Sequence, residues 1–346
     1  MTAHGFGLAA GPPEPALRGN VVDRFRRVGL DGVLADLDRV GSWVDLPQAD
    51  CDRAVRWDDR DVDTSHWYPQ GVEVGLRTGA AGADRLVVLT SWYGHGALGH
   101  AVLGSRLSVI DPDPDQPRYG HVLLAQAVRI LGLTFLRPVR VHAGGIVRYG
   151  DHLYVAASSG GLRVFRLSDI ARPVAAWRAR GHRHVLPEHT AYRAVTAEAA
   201  RPMIYSFISL QRGADGDHLV AGEYGRRDTG RHRLVRYALD RSTGLLVTRP
   251  DGQADPVEVI DSGIPRMQGV AVNDDGWVVS ASAGEGNAGD LWTGRPGVFT
   301  RQRGVLPTGP EDLAVEPGGH RVWTLTEWPG RRWVVPVATD RWRRPR

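Results

Sequence analysis

Short runs in which hydrophobic and polar residues alternate fill most of the chain, and Gly, Asp and Pro separate them. The clearest example is the stretch His142–Ile170, which contains the runs Ile146–Tyr149, Leu153–Ala156 and Leu162–Leu167. Alternating β-branched and aromatic residues with Gly or Asp between them predict antiparallel strands joined by tight turns. A fourth run, Pro173–Trp177, follows. Four antiparallel strands in about 35 residues match the size of one propeller blade.

The segment that leads into the first strand of this unit has counterparts elsewhere in the chain. They are Trp67–Val72, His142–Ile146, Arg266–Val270 and Gly309–Leu313, with a divergent copy near Tyr192. A second strand is predicted after a turn in each copy, at Leu86–Leu89, Leu153–Ala156, Trp277–Ser280, Val322–Leu325 and, in the divergent copy, Ile204–Ile208. Repeats of roughly 40–50 residues are typical of propeller blades. The sequence therefore predicts an all-β protein, a β-propeller with five blades, and six blades as the alternative.

The two ends of the chain are predicted to meet. The last unit, Gly309–Val337, shows three strands where a blade needs four, and Ala54–Trp57 is placed to supply the missing one. Such closure removes exposed sheet edges. Residues 1–20, rich in Gly, Pro and Ala, predict a flexible leader, and apolar residues at helical spacing over 21–46 predict one or two helices. We therefore divide the chain into a leader with a short N-terminal helical extension, 1–50, and a propeller domain, 51–346.

Composition narrows the class of protein. The 346 residues are 42% hydrophobic and 24% charged, which is typical of a soluble globular chain. A net charge of +4 with dispersed Arg residues argues against nucleic-acid binding. Cys51 is the only cysteine, so no intrachain disulfide forms. No run approaches the roughly 18 apolar residues of a membrane span, and no basic region opens the chain. We expect a cytoplasmic monomer without a membrane or nucleic-acid partner.

Several phrases resemble those of a known group of proteins. They are WYPQG, HAGGIVRYG, LYVA with GGLRVF, VAGEYG, MQGV, GPEDL and LTEWPG, and together they span about Trp57–Val337. They resemble actinobacterial propeller-like proteins, mostly described as secreted proteins of unassigned function. The resemblance implies a propeller fold but no reaction, and the present chain lacks an evident signal peptide. More loosely, the repeats look like those of gluconolactonase, paraoxonase and strictosidine-synthase-type propellers, which is an analogy of fold alone.

A propeller gathers the starts of its inner strands and the loops after its second strands on one face. Carboxylates and an imidazole in these segments are the candidate acid–base residues, namely Glu311, Glu327, Glu223 and His142. Aromatic and amide side chains in the same segments are the candidate substrate-binding residues, namely Trp67, Tyr68, Gln70, Trp92, Tyr93, Gln268 and Trp328. Apolar walls with a few polar groups are typical of a small-molecule site. Desolvation by a nearby Trp would raise the pKa of a carboxyl group and suit it to general acid catalysis.

Structural roles compete with these functional ones. Glu311 and Glu327 would equally serve as turn caps, His142 as a neutral ring held by hydrogen bonds between blades, and the two Gln residues as ties between blades. The match to G-x-G-x-x-G at Gly284–Gly289 precedes a predicted strand, whereas a dinucleotide site needs a helix there. The pair His182 and His184 has metal-ligand spacing but lies in a connection. We expect no metal and no cofactor.

Two functions remain open from the sequence. The first is an enzyme that uses acid–base chemistry on a small organic molecule, of the cyclase, isomerase, lyase or hydrolase type, with a tailoring role in specialised metabolism. The second is a non-catalytic propeller that binds a carbohydrate or other small ligand through aromatic platforms. Lys is absent, so a P-loop and a Schiff-base Lys are excluded. Burial discriminates between the two, because a closed site holding a carboxyl of raised pKa favours the enzyme.

Overall fold

The structure is a computed structural model. It describes residues 4–13, 23–46, 53–78, 84–96, 102–113, 115–174, 181–226, 229–273 and 276–339. Cys51 and the basic C-terminal residues 341–346 lie outside the described residues. Strands dominate the described part, and within it no helix has the length and apolar character needed to cross a membrane.

The N-terminal part of the chain contains short strands and two short helices. Its elements are β1 (Phe6–Ala10), β2 (Phe25–Arg27), α1 (Gly29–Leu34), β3 (Arg39–Val40), β4 (Ser42–Val44), β5 (Ala54–Arg56) and α2 (Asp59–Asp63). Of the region 21–46, in which one or two helices are predicted, only the six residues of α1 are α-helical among those described. Leu30 and Val33 of α1 are buried against the first two strand arrays of the propeller, so the helix covers an apolar surface.

The remaining strands form antiparallel arrays in chain order. The first is β6 (Trp67–Thr78), β7 (Asp84–Gly94), β8 (Ser105–Asp111) and β9 (Arg118–Ile130), to which β10 (Leu133–Pro138) is added. The second is β11 (Ile146–Tyr149), β12 (His152–Ala156), β13 (Leu162–Arg166) and, after a 3-10 turn at Leu167–Asp169 and β14 (Ala171–Pro173), β15 (His184–Thr196). The third is β16 (Phe207–Gln211), β17 (Asp217–Gly222), β18 (Arg233–Leu239) and β20 (Glu258–Asp261), with β19 at Gln253–Ala254.

The last two arrays complete the ring. The fourth is β21 (Met267–Asn273), β22 (Gly276–Ala281), β23 (Ala288–Arg295) and β24 (Val298–Thr308), and the fifth is β25 (Pro310–Val315), β26 (Arg321–Thr326), β27 (Trp333–Ala338), β5 and β4. The first strand of each array lies beside the first strand of the next, and β25 returns to β6. This circular order of antiparallel arrays around an axis is a β-propeller, as the sequence predicts.

Closure by the N-terminal part of the chain is confirmed. Val55 pairs with Val334 and Arg56 with Trp333, so β5 continues the fifth array after its own three strands. Apolar side chains fill the spaces between arrays; Leu89 and Leu107 of the first array, for example, belong to one buried cluster with Phe165 of the second. Burying each such side chain stabilises the fold by about 1.5–3 kcal/mol.

Three local predictions are wrong. The leader contains β1, whose residues 6–10 pair with β15 and whose Phe6 and Leu8 are buried. The fourth strand of the second array is β15 and not Pro173–Trp177; Pro173 ends β14, and residues 175–177 of the predicted run lie outside the described residues. In the divergent copy, Ile204–Ile208 overlaps the inner strand β16, and the second strand is β17. The division of the chain at residue 50 stays a prediction, although β1 to β4 all pair with propeller strands or with β5.

Candidate functional site

The repeated phrase that leads into the inner strands corresponds to a β-bulge. Register shifts occur between Pro69 and Val72 in β6, between Met267 and Gly269 in β21, and between Pro310 and Leu313 in β25. A bulge bends the strand and re-aims a side chain. It therefore turns Gln70, Gln268 and Glu311 out of the regular ladder at the same end of the channel.

Glycine beside the bulge lets neighbouring inner strands approach. A Cβ at Gly269 would lie 2.6 Å from Cα of Asp312, and one at Gly145 would lie 2.8 Å from Cα of Phe207. Since real Cβ atoms essentially never approach so closely, only glycine fits at these positions. Asp312 stands at the equivalent position of the last unit, where the repeat departs from glycine.

Glu311 and Glu327 form a pair at this end of the channel. Glu311 is only 3% exposed, and its carboxyl group hydrogen-bonds that of the half-buried Glu327. Each member also accepts from an amide: Gln268 Nε2 donates to Glu311 Oε1 at 3.0 Å, and Gln70 Nε2 donates to Glu327 Oε2 at 3.2 Å. The two Gln residues thus bind the carboxyl pair and do not merely tie blades together.

The pair retains a proton. Burial raises the pKa of Glu311 well above its ordinary value, and the neighbouring charge of Glu327 and the hydrogen bond to it act in the same direction. Burial also raises the pKa of Glu327, although hydrogen bonds from Gln70 and Glu311 oppose the change. Two adjacent carboxyl groups without a cation between them cannot both ionise readily. Glu311 is therefore the protonated donor, and Glu327 is the member that reaches solvent.

Aromatic rings surround the pair. Tyr68 and Tyr93 are half-buried with their ring centroids 6.0 Å apart, and the His95 ring lies 4.2 Å from that of Tyr68. The His142 ring lies 4.3 Å from that of Tyr93 and is exposed. Burial raises the pKa of Tyr93, and the charge of Glu327 adds to the effect, so its hydroxyl stays protonated. These side chains form a polar, aromatic rim; His142 stays a predicted base, placed on the rim and beside Tyr93.

Trp328 joins the same rim for a local reason. Gly309 has a positive φ of 71°, and its missing side chain leaves the space that the Trp328 indole occupies. The backbone N–H of Glu327 donates to the Gly309 carbonyl at 3.2 Å, which fixes the loop after β26 onto the start of β25. Gly309 thereby sets the positions of Glu327 and Trp328 together.

Glu223 has a different environment from the one expected. It is fully buried, and Arg233 binds it in a bidentate manner with distances of 2.7 and 2.8 Å, while Arg201 and Arg231 lie at 3.4 Å. Burial would raise the pKa of Glu223, but its hydrogen bonds from Arg233 and that residue's charge outweigh it and lower the pKa. The expectation of a proton-donating acid is corrected, because this carboxylate is held ionised by guanidinium groups.

Trp67 and Trp92 also require correction as walls of the pocket. Both are buried, and the guanidinium of Arg106 lies between their rings, 4.5 Å from Trp67 and 4.6 Å from Trp92. Arg106 in turn donates to Asp61 at 2.6 Å. The two indoles thus enclose a buried ion pair and are not available as platforms for a ligand.

That ion pair belongs to a larger buried polar cluster. His121 Nε2 lies 2.9 Å from Asp61 Oδ2, and Ser108 Oγ lies 2.8 Å from His121 Nδ1. Ser108 and His121 are directly opposite each other on β8 and β9. Burial lowers the pKa of His121 to about 4, and Arg106 adds to the effect. The order Ser–His–Asp resembles a catalytic triad, but the Ser108 hydroxyl is fully buried, so the cluster is structural.

Neither the glycine-rich motif nor the histidine pair has the surroundings that its suggested binding site would need. The segment Gly284–Gly289 leads into strand β23, as predicted, at the place where a dinucleotide site would need a helix. His184 is buried at the start of β15, and the His182 ring contacts that of Trp67. Among the described residues, no group of three His, Cys, Asp or Glu side chains is arranged to hold a metal ion.

Two charged residues at the site are not among the candidate acid–base or binding residues that the sequence predicts. Asp312 is fully buried, and its Oδ2 accepts from the N–H groups of Val72 and Ile146, both at 3.2 Å, so it joins three inner strands. Arg332 is fully buried under Tyr68, and it donates to the carbonyl of Glu327 at 2.8 Å. Burial lowers the pKa of Arg332 to about 10. The Asp in place of the repeat's Gly was the available signal for Asp312; none marked Arg332.

The sequence matches no family model, and no curated protein is significantly similar to it. Among solved structures, the chain is similar to the GH43_1 enzyme from Xanthomonas citri complexed with xylotriose, with 12% identity, 82% of this chain and 91% of that chain covered, and a TM-score of 0.40. Glutaminyl cyclase from Myxococcus xanthus gives 13% identity, 79% and 95% coverage and a TM-score of 0.32. The Cps50 (Swd1) β-propeller domain from Myceliophteria thermophila gives 9%, 80%, 100% and 0.36. These likenesses are too distant to assign a reaction.

Proposed function

We propose that this protein is an enzyme in which Glu327 exchanges a proton with a small organic substrate at the end of the propeller channel. The observation that carries the proposal is the pair of Glu311 and Glu327, whose carboxyl groups hydrogen-bond each other and hold a proton. General acid–base catalysis needs a group whose pKa lies near the working pH, and the raised pKa of Glu327 has that direction.

The geometry of the pair favours one kind of proton chemistry. Glycosidases that use two carboxyl groups hold them about 5–5.5 Å apart or about 6.5–9.5 Å apart, whereas these two are in direct hydrogen-bond contact. Glu311 is also too buried to meet a substrate. A single accessible carboxyl group suits proton abstraction and return, as in a cyclisation or isomerisation, better than glycoside hydrolysis. Glu311 then acts as a positioning residue: it stays protonated and hydrogen-bonds the carboxyl group of Glu327.

The alternative of a carbohydrate-binding protein is weaker on this structure. Of the predicted aromatic platforms, Trp67 and Trp92 are enclosed around Arg106. Tyr68, Tyr93 and Trp328 remain, and they lie around the single pair of Glu311 and Glu327. They would orient the substrate over Glu327, with the amides of Gln70 and Gln268 fixing the carboxyl pair.

The test covers several substrate classes at once. We would incubate the protein in deuterated water with small carbonyl compounds, glutaminyl peptides and xylosides, and follow deuterium incorporation and product formation by NMR. Glu327→Gln should reduce turnover by about 10²–10⁴-fold with an unchanged Tm, while Glu285→Gln, which alters an exposed carboxylate, should have no effect.

The role of Glu311 has its own readout. Wild type should lose activity at alkaline pH as Glu311 ionises, and Glu311→Gln should lack this alkaline limb because the amide cannot ionise. Full turnover by Glu327→Gln would refute the proposal, and a Glu311→Gln variant that chiefly unfolds would make that residue a structural cap.

A further inference from the structure

A second cavity opens at the opposite end of the same channel. It has a volume of about 900 Å³ and is lined by the second halves of the five inner strands and by the turn Glu316–His320. Asp312 and the close-packed glycines separate it from the Glu311–Glu327 pair, because Asp312 bonds β6 and β11 at the level between them. A cavity of this size is in the range of small-molecule sites.

A carboxyl group lies at the inner end of this cavity. Glu73 accepts from the N–H of Val74 at 3.1 Å and from the N–H of Arg148 at 3.0 Å, so it bridges β6 and β11. The buried carboxyl group of Asp312 interacts electrostatically with that of Glu73. The inner end therefore presents the carboxyl group of Glu73, to which two backbone N–H groups donate.

Guanidinium groups lie toward the mouth. Arg148 is half-buried, and its Nε donates to the Gly150 carbonyl at 3.3 Å. Arg212 is 66% exposed, stands over the Tyr149 ring at 5.4 Å and has Asp217 3.7 Å away. The titratable and charged groups facing Glu73 from the surrounding elements are Asp312, Arg148, Arg212, Glu316 and His320. Of these, Glu316 is engaged by Trp323 and Arg321.

We propose that this cavity binds a small zwitterion of the amino-acid type, with its ammonium group at Glu73 and its carboxylate at Arg148 and Arg212. A simple anion would meet the carboxyl groups of the inner end, and a simple cation would be repelled by the mouth. A ligand that carries both charges complements the inner end with its ammonium group and the mouth with its carboxylate. Such electrostatic complementarity gives specificity. This site is independent of the reaction at Glu327, since the two openings lie on opposite faces.

The proton on Glu73 provides a thermodynamic signature. Burial raises the pKa of Glu73 to about 7, so near neutral pH the free protein carries a proton that an ammonium ligand would displace. Binding should therefore tighten from pH 6 to pH 8 and release a proton, seen as a dependence of the calorimetric heat on the ionisation enthalpy of the buffer.

The experiment uses the full chain and the twenty common amino acids. Saturation-transfer NMR finds the best binder, and calorimetry then compares it with its N-acetyl derivative, which lacks the ammonium group, and its methyl ester, which lacks the carboxylate. We expect each derivative to bind at least tenfold more weakly. Glu73→Gln should weaken binding of the amino acid at least tenfold and abolish proton release.

A second variant keeps the test valid if Glu73→Gln folds poorly. Arg212→Met alters an exposed side chain, and it should weaken the amino acid but leave binding of the methyl ester unchanged. Arg85→Met, a change of an exposed Arg that does not line the cavity, is the matched control and should leave both unchanged. Failure of every amino acid to bind, or equal binding of the parent and both derivatives, would overturn the proposal.

Discussion

Glu311 at the start of inner strand β25 and Glu223 in the loop after β17 are both buried carboxyl groups, yet their surroundings give them opposite charge states. Three guanidinium groups lie within 3.4 Å of Glu223, and they lower its pKa. Glu311 instead contacts an amide and a second carboxyl group, and its pKa is raised. Burial alone therefore does not make a carboxyl group an acid catalyst; the partners that accompany it into the interior decide.

The largest expected effect follows from removing the ionised member of this comparison. Glu223→Gln leaves Arg233, which is 12% exposed, without its bidentate carboxylate, and breaking a buried pair costs about 3–5 kcal/mol. We expect a corresponding loss in the free energy of unfolding, measured by chemical denaturation. Glu258→Gln, which breaks the exposed pair with Arg236, should cost at most about 1 kcal/mol. Equal losses in the two variants would contradict the contrast.

A smaller effect is expected for Glu311→Gln. Its stability relative to wild type should change with pH in the opposite direction to that of Glu223→Gln. The folded pKa of Glu311 is raised, so the folded state binds more protons than the unfolded state above about pH 4.5. Wild type should therefore lose stability relative to Glu311→Gln as the pH rises, by up to about 1.4 kcal/mol per pH unit. For Glu223, whose pKa is lowered, the advantage over Glu223→Gln should instead disappear as the pH falls below about 4.5. Parallel pH curves of Tm for the two variants would remove the distinction.

The smallest effect concerns the amides. Gln268→Leu removes the donor to Glu311, and Gln70→Leu removes the donor to Glu327; each should cost about 0.5–1.5 kcal/mol in unfolding free energy. Because Gln70 stabilises the ionised form of Glu327, its loss should move the acid limb of the activity profile to higher pH. An unchanged acid limb in Gln70→Leu would show that this amide does not tune the pair.

The parts of the fold that depend on local pattern are predictable from the sequence. The three runs after His142 become β11, β12 and β13, and the shortage of one strand in the last unit leads to the correct partner for Ala54–Arg56. The fourth strand of the second array is not predictable in the same way. Its position depends on the parallel pairing of His184–Pro187 with Val122–Ala125 of the neighbouring array, a contact between distant segments.

The site shows the same limit. The bulged starts of β6, β21 and β25 carry a recognisable phrase, and Gln70, Gln268 and Glu311 follow from it. Whether a carboxylate or an indole is free depends on distant side chains. Arg233, which binds Glu223, lies on another strand, and so does Arg106, which packs between the Trp67 and Trp92 rings. Because Arg residues are spread along the whole sequence, their positions in it do not reveal these pairs.

The pairing of Arg56 with Trp333 also determines when the ring can close during biosynthesis. During translation β5 leaves the ribosome before β6, but its partner β27 emerges only after β26. Until then the nascent propeller is an open arc in which β5 and β26 lack their shared partner β27, and closing it requires a contact of very long range, which slows folding. Ring closure is thus a step at which a newly made chain is exposed to aggregation, and a permuted gene that begins just before β6 and carries β4 and β5 after β27 would make the pairing of β5 with β27 local.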